Sequence, residues 1–348
     1  MSDVETPSLK LSGSSYEMGF EHGSGAKEQV HFTLETYEEM FYNHSSMSWK
    51  EACNKALLHV DAIEQYNADY LYEMEGLAKG AGVTFEDILA INARSEIVLT
   101  NVPDGCTAFS ILDRYTSNMW LAQNWDWTST QFKSLVHLHL DKENCPSINM
   151  VSEAGIIGKI GCNSEGIGVC LNALVTNTSA KKVPIHLGLR AVLESTSIEE
   201  AVSRVGRNQM ASPAHFLIAA KTGEMAGLEV SPIHTARIAT DKNFIAHTNH
   251  ILSEQLKEKV KEDAKSDSYI RYDVANKLLT DFDKQQITDT NVFRVLSDHT
   301  NYPHSICRHI SPEDEKKGER ISETIFSIVM NLTEGTLNWE KGHPCRQL

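Results

Sequence analysis

The stretch Pro103-Asp104-Gly105-Cys106-Thr107-Ala108-Phe109-Ser110-Ile111-Leu112 joins two differently patterned halves of the chain. Before it, apolar residues recur at helical spacing. Ser48 and Glu51 form a capping-box pattern ahead of Ala52, Ala56, Leu57, Val60 and Ile63. Thr84 and Asp87 open a second helix carrying Ile88, Leu89, Ile91 and Ile97, and Gly76, Gly80 and Gly82 punctuate the segment between the two. After the turn signal Pro103-Asp104-Gly105 the period shortens. Short β-type runs follow at Thr107–Leu112, Met119–Asn124, Leu135–Leu140 and Ile148–Ser152. Val136-His137-Leu138-His139-Leu140 alternates as a half-buried strand does.

Further along, Gly166–Val175 is nearly all apolar and small, as in a strand buried on both faces. Helical spacing returns over Ile185–Val205. Strand-like runs then occupy Phe216–Ala220, Met225–Val230, Thr235–Ala239 and Phe244–His247. The charged segment Ser253–Phe282 and Asn291–Leu296 read as helix, and Thr324–Leu332 as a last strand. Strands without βαβ alternation, with helices before and after, predict an α+β layered fold.

Cys106 stands at the point of change. A thiol breaks the peptide bond before it only if it reaches the preceding carbonyl, and Gly105 has no Cβ in the way. Once free, the α-amino group of Cys106, with an ordinary pKa of about 8, is a base for its own thiol. The plainer reading of Asp-Gly-Cys is a turn leading a buried cysteine into a strand.

Composition narrows the classes. The chain has 348 residues, 41% apolar and 23% charged, which suits a globular protein with a substantial core. A net charge of −15 sets it against nucleic acid as a partner. No apolar run reaches the roughly 18 residues of a membrane span. The N-terminus, polar and acidic, does not read as a secretory signal. The expected location is cytoplasmic. Cys345-Arg346-Gln347-Leu348 shares only its last residue with a peroxisomal S-K-L address, which leaves the peroxisome as the weaker alternative. Seven scattered cysteines without a C-x-x-C pair argue against a disulfide scaffold or a zinc cluster. His247 and His250 form an H-x-x-H pair with no third ligand pattern, so no metal is expected. No G-x-S-x-G elbow occurs.

Several strings, in order, resemble the acyl-coenzyme A:6-aminopenicillanic-acid acyltransferase family, peptidase family C45. They are Tyr16-Glu17-Met18-Gly19-Phe20-Glu21-His22-Gly23, Asp104-Gly105-Cys106-Thr107, Gln123-Asn124-Trp125-Asp126-Trp127 and Glu153-Ala154-Gly155-Ile156-Ile157-Gly158-Lys159. Leu189-Arg190, Leu193-Glu194-Ser195-Thr196-Ser197, Gly227-Leu228-Glu229-Val230-Ser231-Pro232, His247-Thr248-Asn249-His250 and Asn301-Tyr302-Pro303-His304-Ser305-Ile306-Cys307-Arg308 continue the match.

The resemblance implies a four-layer αββα N-terminal-nucleophile fold and autocleavage between Gly105 and Cys106. That would leave a helical fragment, 1–105, associated with a catalytic fragment, 106–348. It implies Cys106 as nucleophile, Asp126 as the carboxylate that orients its amine and touches substrate, Asn249 as oxyanion donor, and Ser231 as a required serine. The family's substrate-binding arginine lies three residues before a Thr-x-Phe string. Here Arg320 lies four before Thr324-Ile325-Phe326, with Arg308 as the fallback. The implied substrate is a small amide or an acyl-CoA; no cofactor is expected, with acyl-CoA a candidate co-substrate. The resulting readings are an amidohydrolase or acyltransferase, a strict penicillin-forming acyltransferase, or an inert binding protein that keeps the fold.

Overall fold

The computed structural model describes residues 5–98, 105–176, 178–317 and 322–346. Among the described residues, thirteen strands make two sheets. The strands are β1 (Ser8–Ser12), β2 (Gly105–Leu112), β3 (Met119–Trp127), β4 (Leu135–Asp141), β5 (Ile148–Glu153), β6 (Ile160–Asn163) and β7 (Ile167–Ala173). They continue as β8 (Ala214–Ala220), β9 (Met225–Val230), β10 (Thr235–Ile238), β11 (Phe244–His247), β12 (Glu323–Asn331) and β13 (Thr336–Lys341). One sheet runs β1-β4-β5-β6-β7-β8-β9-β10 and the other β11-β2-β3-β12-β13. Every pairing is antiparallel except β1 with β4.

The helices are α1 (Ser15–Gly25), α2 (Lys27–Ser45), α3 (Trp49–Ala56), α4 (Val60–Asn67), α5 (Asp69–Ala81), α6 (Phe85–Asn92) and α7 (Arg94–Val98). Later come α8 (Ile185–Leu193), α9 (Ile198–Val205), α10 (Glu254–Lys257), α11 (Ser266–Thr280), α12 (Asp289–Leu296) and α13 (Pro312–Lys317).

Side-chain alternation explains the layering. On β2, Cys106 and Ala108 face the eight-stranded sheet, where β7 and β8 lie against β2. Phe109 and Ile111, one residue out of phase, pack on Ala275 and Leu279 of α11 and Val292 and Val295 of α12. The outer face of the eight-stranded sheet carries α8 and α9. The early helices extend that layer through α5, whose Glu73 meets Arg190 of α8. Helix, sheet, sheet, helix is the architecture the resemblance implied.

The expected elements are largely present, with instructive departures. Both capping boxes form, at Ser48/Glu51 and Thr84/Asp87. The first helix stops at Ala56, where a short 3-10 turn exposes Leu57 and Leu58, and resumes as α4. Gly76 and Gly80 do not punctuate a loop. They lie inside α5, where an added Cβ would stand 2.0 Å from the Tyr16 carbonyl and 2.3 Å from that of Phe20. The glycines let α1 and α5 touch backbone to backbone. Of the three glycines, Gly82 alone ends a helix, at φ 73°. Ile185–Val205 is two helices, and Ser253–Phe282 is broken between α10 and α11. Three strands went unread. β1 and β13 are sheet edges with half-exposed residues, and β6 has four residues around Gly161.

Candidate active site

Cys106 is the second residue of β2, in the interior of the five-stranded sheet, and is 1% exposed. Its register partner is Trp125, and that of Gly105 is Asp126. Because strand residues alternate, Cys106 faces the other sheet while Asp126 faces the α11 side.

Two side chains, from different elements, grip the main chain of Cys106. The Asn249 Oδ1 accepts the Cys106 amide at 2.8 Å, and Arg271 Nη1 donates to the Cys106 carbonyl at 2.6 Å. Arg271 also donates to Thr107 Oγ1 at 3.1 Å and, through Nη2, to Asn249 Oδ1 at 3.0 Å. Asn249 Nδ2 donates to the Ala173 carbonyl at 3.2 Å, tying the site to β7 of the facing sheet.

The turn carrying Asn249 is fixed from both sides. Ser268, in the first turn of α11, accepts the Asn249 amide at 2.8 Å. From the other sheet, Glu229 accepts from His247 at 3.0 Å and from the Leu252 amide at 2.6 Å. Burial alone would raise the Glu229 pKa, but the His247 bond and charge, with the Leu252 amide and Ser253 hydroxyl, outweigh it and hold it down to about 2. Both nitrogens of His247 are thereby engaged, the second with the Thr248 carbonyl. His250 Nδ1 bonds Ser268.

On the α11 side of the sheet, alternating charges run from Asp126 to Arg308, Asp267 and Arg271. Arg308 Nε lies 3.4 Å from Asp126 Oδ2. Arg308 Nη2 meets Asp267, which also takes Arg271 Nε at 3.2 Å, one helical turn away. Thr324 donates to Asp126 Oδ1 at 2.8 Å and accepts the Arg308 amide at 3.0 Å. The β12 register shifts between Thr324 and Phe326, so a bulge aims Thr324 at Asp126. Burial, then the Arg308 guanidinium, pull the Arg271 pKa below its usual value. Burial opposes ionisation of Asp267, yet the two guanidiniums hold its pKa below the usual carboxylate range. A Cβ on Gly105 would stand 2.7 Å from Arg308 Nε and 3.1 Å from Asp126 Oδ2. Glycine here makes room for the ion pair.

The structure therefore brings Gly105, Cys106, Asp126, Asn249 and Arg308 into one site. Arg320, Pro103 and Asp104 lie outside the described residues. Ser231 is bonded within its own turn, to the His234 carbonyl at 2.8 Å and the His234 amide at 3.0 Å. Arg271, Asp267 and Ser268 were missed. Asp267 and Arg271 read as an ordinary i,i+4 helix pair, which is usually solvent-exposed. Glu229 carried a better signal, a carboxylate inside an apolar strand.

The crevice beside Trp125 and Ala173, also lined by Arg94, Lys159 and His186, holds only about 10 Å³. A concavity of about 670 Å³ opens elsewhere, among Lys10, His139, Cys162 and Gly335.

The comparisons agree with the resemblance. The family described as acyl-coenzyme A:6-aminopenicillanic acid acyl-transferase matches residues 114–344. The 40 kDa form of acyl-coenzyme A:6-aminopenicillanic-acid-acyltransferase from Emericella nidulans is 32% identical over 324 residues, covering 92% of this chain and 88% of that protein. Protein dcd1B from Dictyostelium discoideum is 22% identical over 67% of this chain and 52% of its own length. Among solved structures, a mutant conjugated bile acid hydrolase from Clostridium perfringens aligns over 68% of this chain and 89% of its own, with 13% identity and a TM-score of 0.48. Penicillin V acylase from Agrobacterium tumefaciens aligns over 68% of this chain and 83% of its own, with 14% identity and a TM-score of 0.44. On the family match and the end-to-end fungal relative, this chain belongs to the acyl-coenzyme A:6-aminopenicillanic-acid acyltransferase family.

Proposed function

We propose that the chain cleaves itself between Gly105 and Cys106 and then uses Cys106 to form an acyl-enzyme. The observation that carries this reading is the grip on Cys106: its amide and carbonyl are held by Asn249 and Arg271, beside the Gly105–Asp126–Arg308 contact. In the first step the Cys106 thiol attacks the Gly105 carbonyl carbon. The C–N bond breaks, the nitrogen takes the thiol proton, and Gly105 becomes a thioester on Cys106. Water releases the Gly105 carboxylate and restores the thiol, leaving a free α-amine.

In turnover that amine takes the thiol proton, the thiolate attacks an amide or acyl-CoA carbonyl, and the amine or CoA leaves with the proton. Asn249 Nδ2, released from the Ala173 carbonyl, stabilises the developing oxyanion. Asp126 holds the new ammonium, and Arg308 binds a substrate carboxylate. Water as second acceptor gives an amidohydrolase, and an amine gives an acyltransferase. The name of the 32%-identical relative favours acyl-CoA as donor.

The test assays purified protein against a panel of acyl-CoAs and N-acyl amines, measuring released CoA and free amine on one sample. Two fragments on a denaturing gel are expected, the larger beginning Cys-Thr-Ala-Phe, with turnover of at least one panel member. A fully active, uncut chain would overturn the reading.

A further inference from the structure

Away from Cys106, four side chains with metal-binding atoms converge. His299 follows α12, Cys307 and His309 flank Arg308, and Cys345 lies in the 3-10 turn Pro344–Arg346 after β13. Their ligand atoms all lie within 4.8 Å of one another. The His309 Nε2 is 3.0 Å from His299 Nε2, 3.5 Å from Cys307 Sγ and 3.6 Å from Cys345 Sγ. A single ring nitrogen offers one proton or one lone pair, so it cannot satisfy three such neighbours.

Around a tetrahedral zinc ion with ordinary bond lengths, nitrogen–nitrogen separations are about 3.3 Å and sulfur–nitrogen separations about 3.5–3.6 Å. The observed distances fall close to those values before any ion is placed. Two imidazoles and two thiols form a donor set suited to Zn²⁺. The His309 ring is stacked on His343 at 4.0 Å and 5°, and His343 is paired with Glu323 at 3.1 Å, which orients the ring. His299 is exposed, so an ion has a way in.

We propose that His299, Cys307, His309 and Cys345 bind a structural Zn²⁺ ion. Four protein ligands leave no open position, so the ion fastens rather than catalyses. Binding takes both cysteines as thiolates and releases their two protons. It ties the segment bearing Arg308 to the loop after α12 and to the C-terminal turn. The reading does not depend on Cys106 chemistry.

The test measures zinc per chain in reduced, full-length protein, purified without chelator and then re-equilibrated with zinc and freed of excess. One zinc per chain is expected, unchanged in Cys106→Ala. Cobalt in its place should show tetrahedral ligand-field and thiolate charge-transfer bands. Cys345→Ser and the milder His299→Ala should each weaken zinc retention at least about tenfold, and the thermal midpoint should rise with zinc in wild type only. Substoichiometric zinc after reconstitution would overturn the proposal. So would a Cys307–Cys345 disulfide in non-reduced peptide maps, or retention unaffected by both substitutions.

Discussion

Two buried charge networks use the same side-chain chemistry for different ends. Between the early helices and the part of the chain that follows Gly105, Arg190 of α8 takes Glu73 of α5 in a two-pronged contact, both bonds 2.8 Å, while Glu153 of β5 receives Arg94 at 3.0 Å and Lys159 at 2.6 Å. Around Cys106, Asp126, Arg308, Asp267 and Arg271 alternate in sign just as closely. The first network joins side chains across packed elements, with one bond to backbone, from Arg190 Nη1 to the Ile157 carbonyl at 2.9 Å. The second ends on backbone, at the Cys106 carbonyl. The difference that points to function is the residue held: the second network grips the peptide group of a thiol-bearing residue, and the first does not.

The first network also crosses the proposed cut. Glu73 and Arg94 precede Gly105, while Arg190, Glu153 and Lys159 follow it. β1 pairs with β4 across the same division. After cleavage the two fragments would remain bound through buried charges and a shared sheet.

The comparison is broken most sharply at Cys106. Cys106→Ala should leave one uncut chain with no detectable turnover, and Cys106→Ser should slow both severely, since a hydroxyl is a far weaker nucleophile than a thiolate. Gel analysis and rate on one sample decide it. Substituting Cys307 or Cys162 should not abolish turnover as Cys106→Ala does.

Next in size, Glu73→Ala leaves buried Arg190 with Glu194 as the carboxylate it still contacts and should cost about 3–5 kcal/mol by denaturant unfolding. In cut protein the same change should promote separation of the fragments on a sizing column. Unchanged stability would mean that the first network fastens nothing.

Asn249→Ala removes one donor and should lower turnover about 10²–10³-fold, or about 2.7–4 kcal/mol. Cleavage happens once per chain, so the fraction cut should stay high. Wild-type turnover in fully cut Asn249→Ala would reduce Asn249 to a loop anchor.

The smallest effect is acid sensitivity. Glu153 is resisted by burial but held down to about 2 by Arg94 and Lys159, and Glu229 is also about 2. Folded values below unfolded ones mean that their contribution is complete above about pH 4.5 and is lost as pH falls toward 2. Denaturant midpoints across that range should drop, and less so in Glu153→Gln. A midpoint flat from pH 5 to about 3 would contradict the burial and pairing described.

Much of this protein is local and therefore legible in its sequence. The change of period at Gly105, the capping boxes at Ser48 and Thr84, the alternation of β4 and the double burial of β7 follow from side-chain spacing along a rigid backbone. Cys106, Asp126 and Asn249 stood out through the family strings around them. What only the tertiary structure decided is which distant groups meet. Gly76 and Gly80 read as punctuation because only the α1–α5 contact shows why a side chain would not fit. Arg271 and Asp267 stand at an ordinary i,i+4 spacing in a charged helix, and only the packing of α11 on β2 brings Arg271 to the Cys106 carbonyl. Arg308, the fallback to Arg320, has its guanidinium beside Asp126, since the bulge at Thr324 and the missing side chain of Gly105 make its place. His299, Cys307, His309 and Cys345 lie at separations of 10, 2 and 36 residues from pair to pair, which match no local metal motif. They meet because α12, the Arg308 segment and the turn after β13 end at the same corner, and folding alone sets that coincidence.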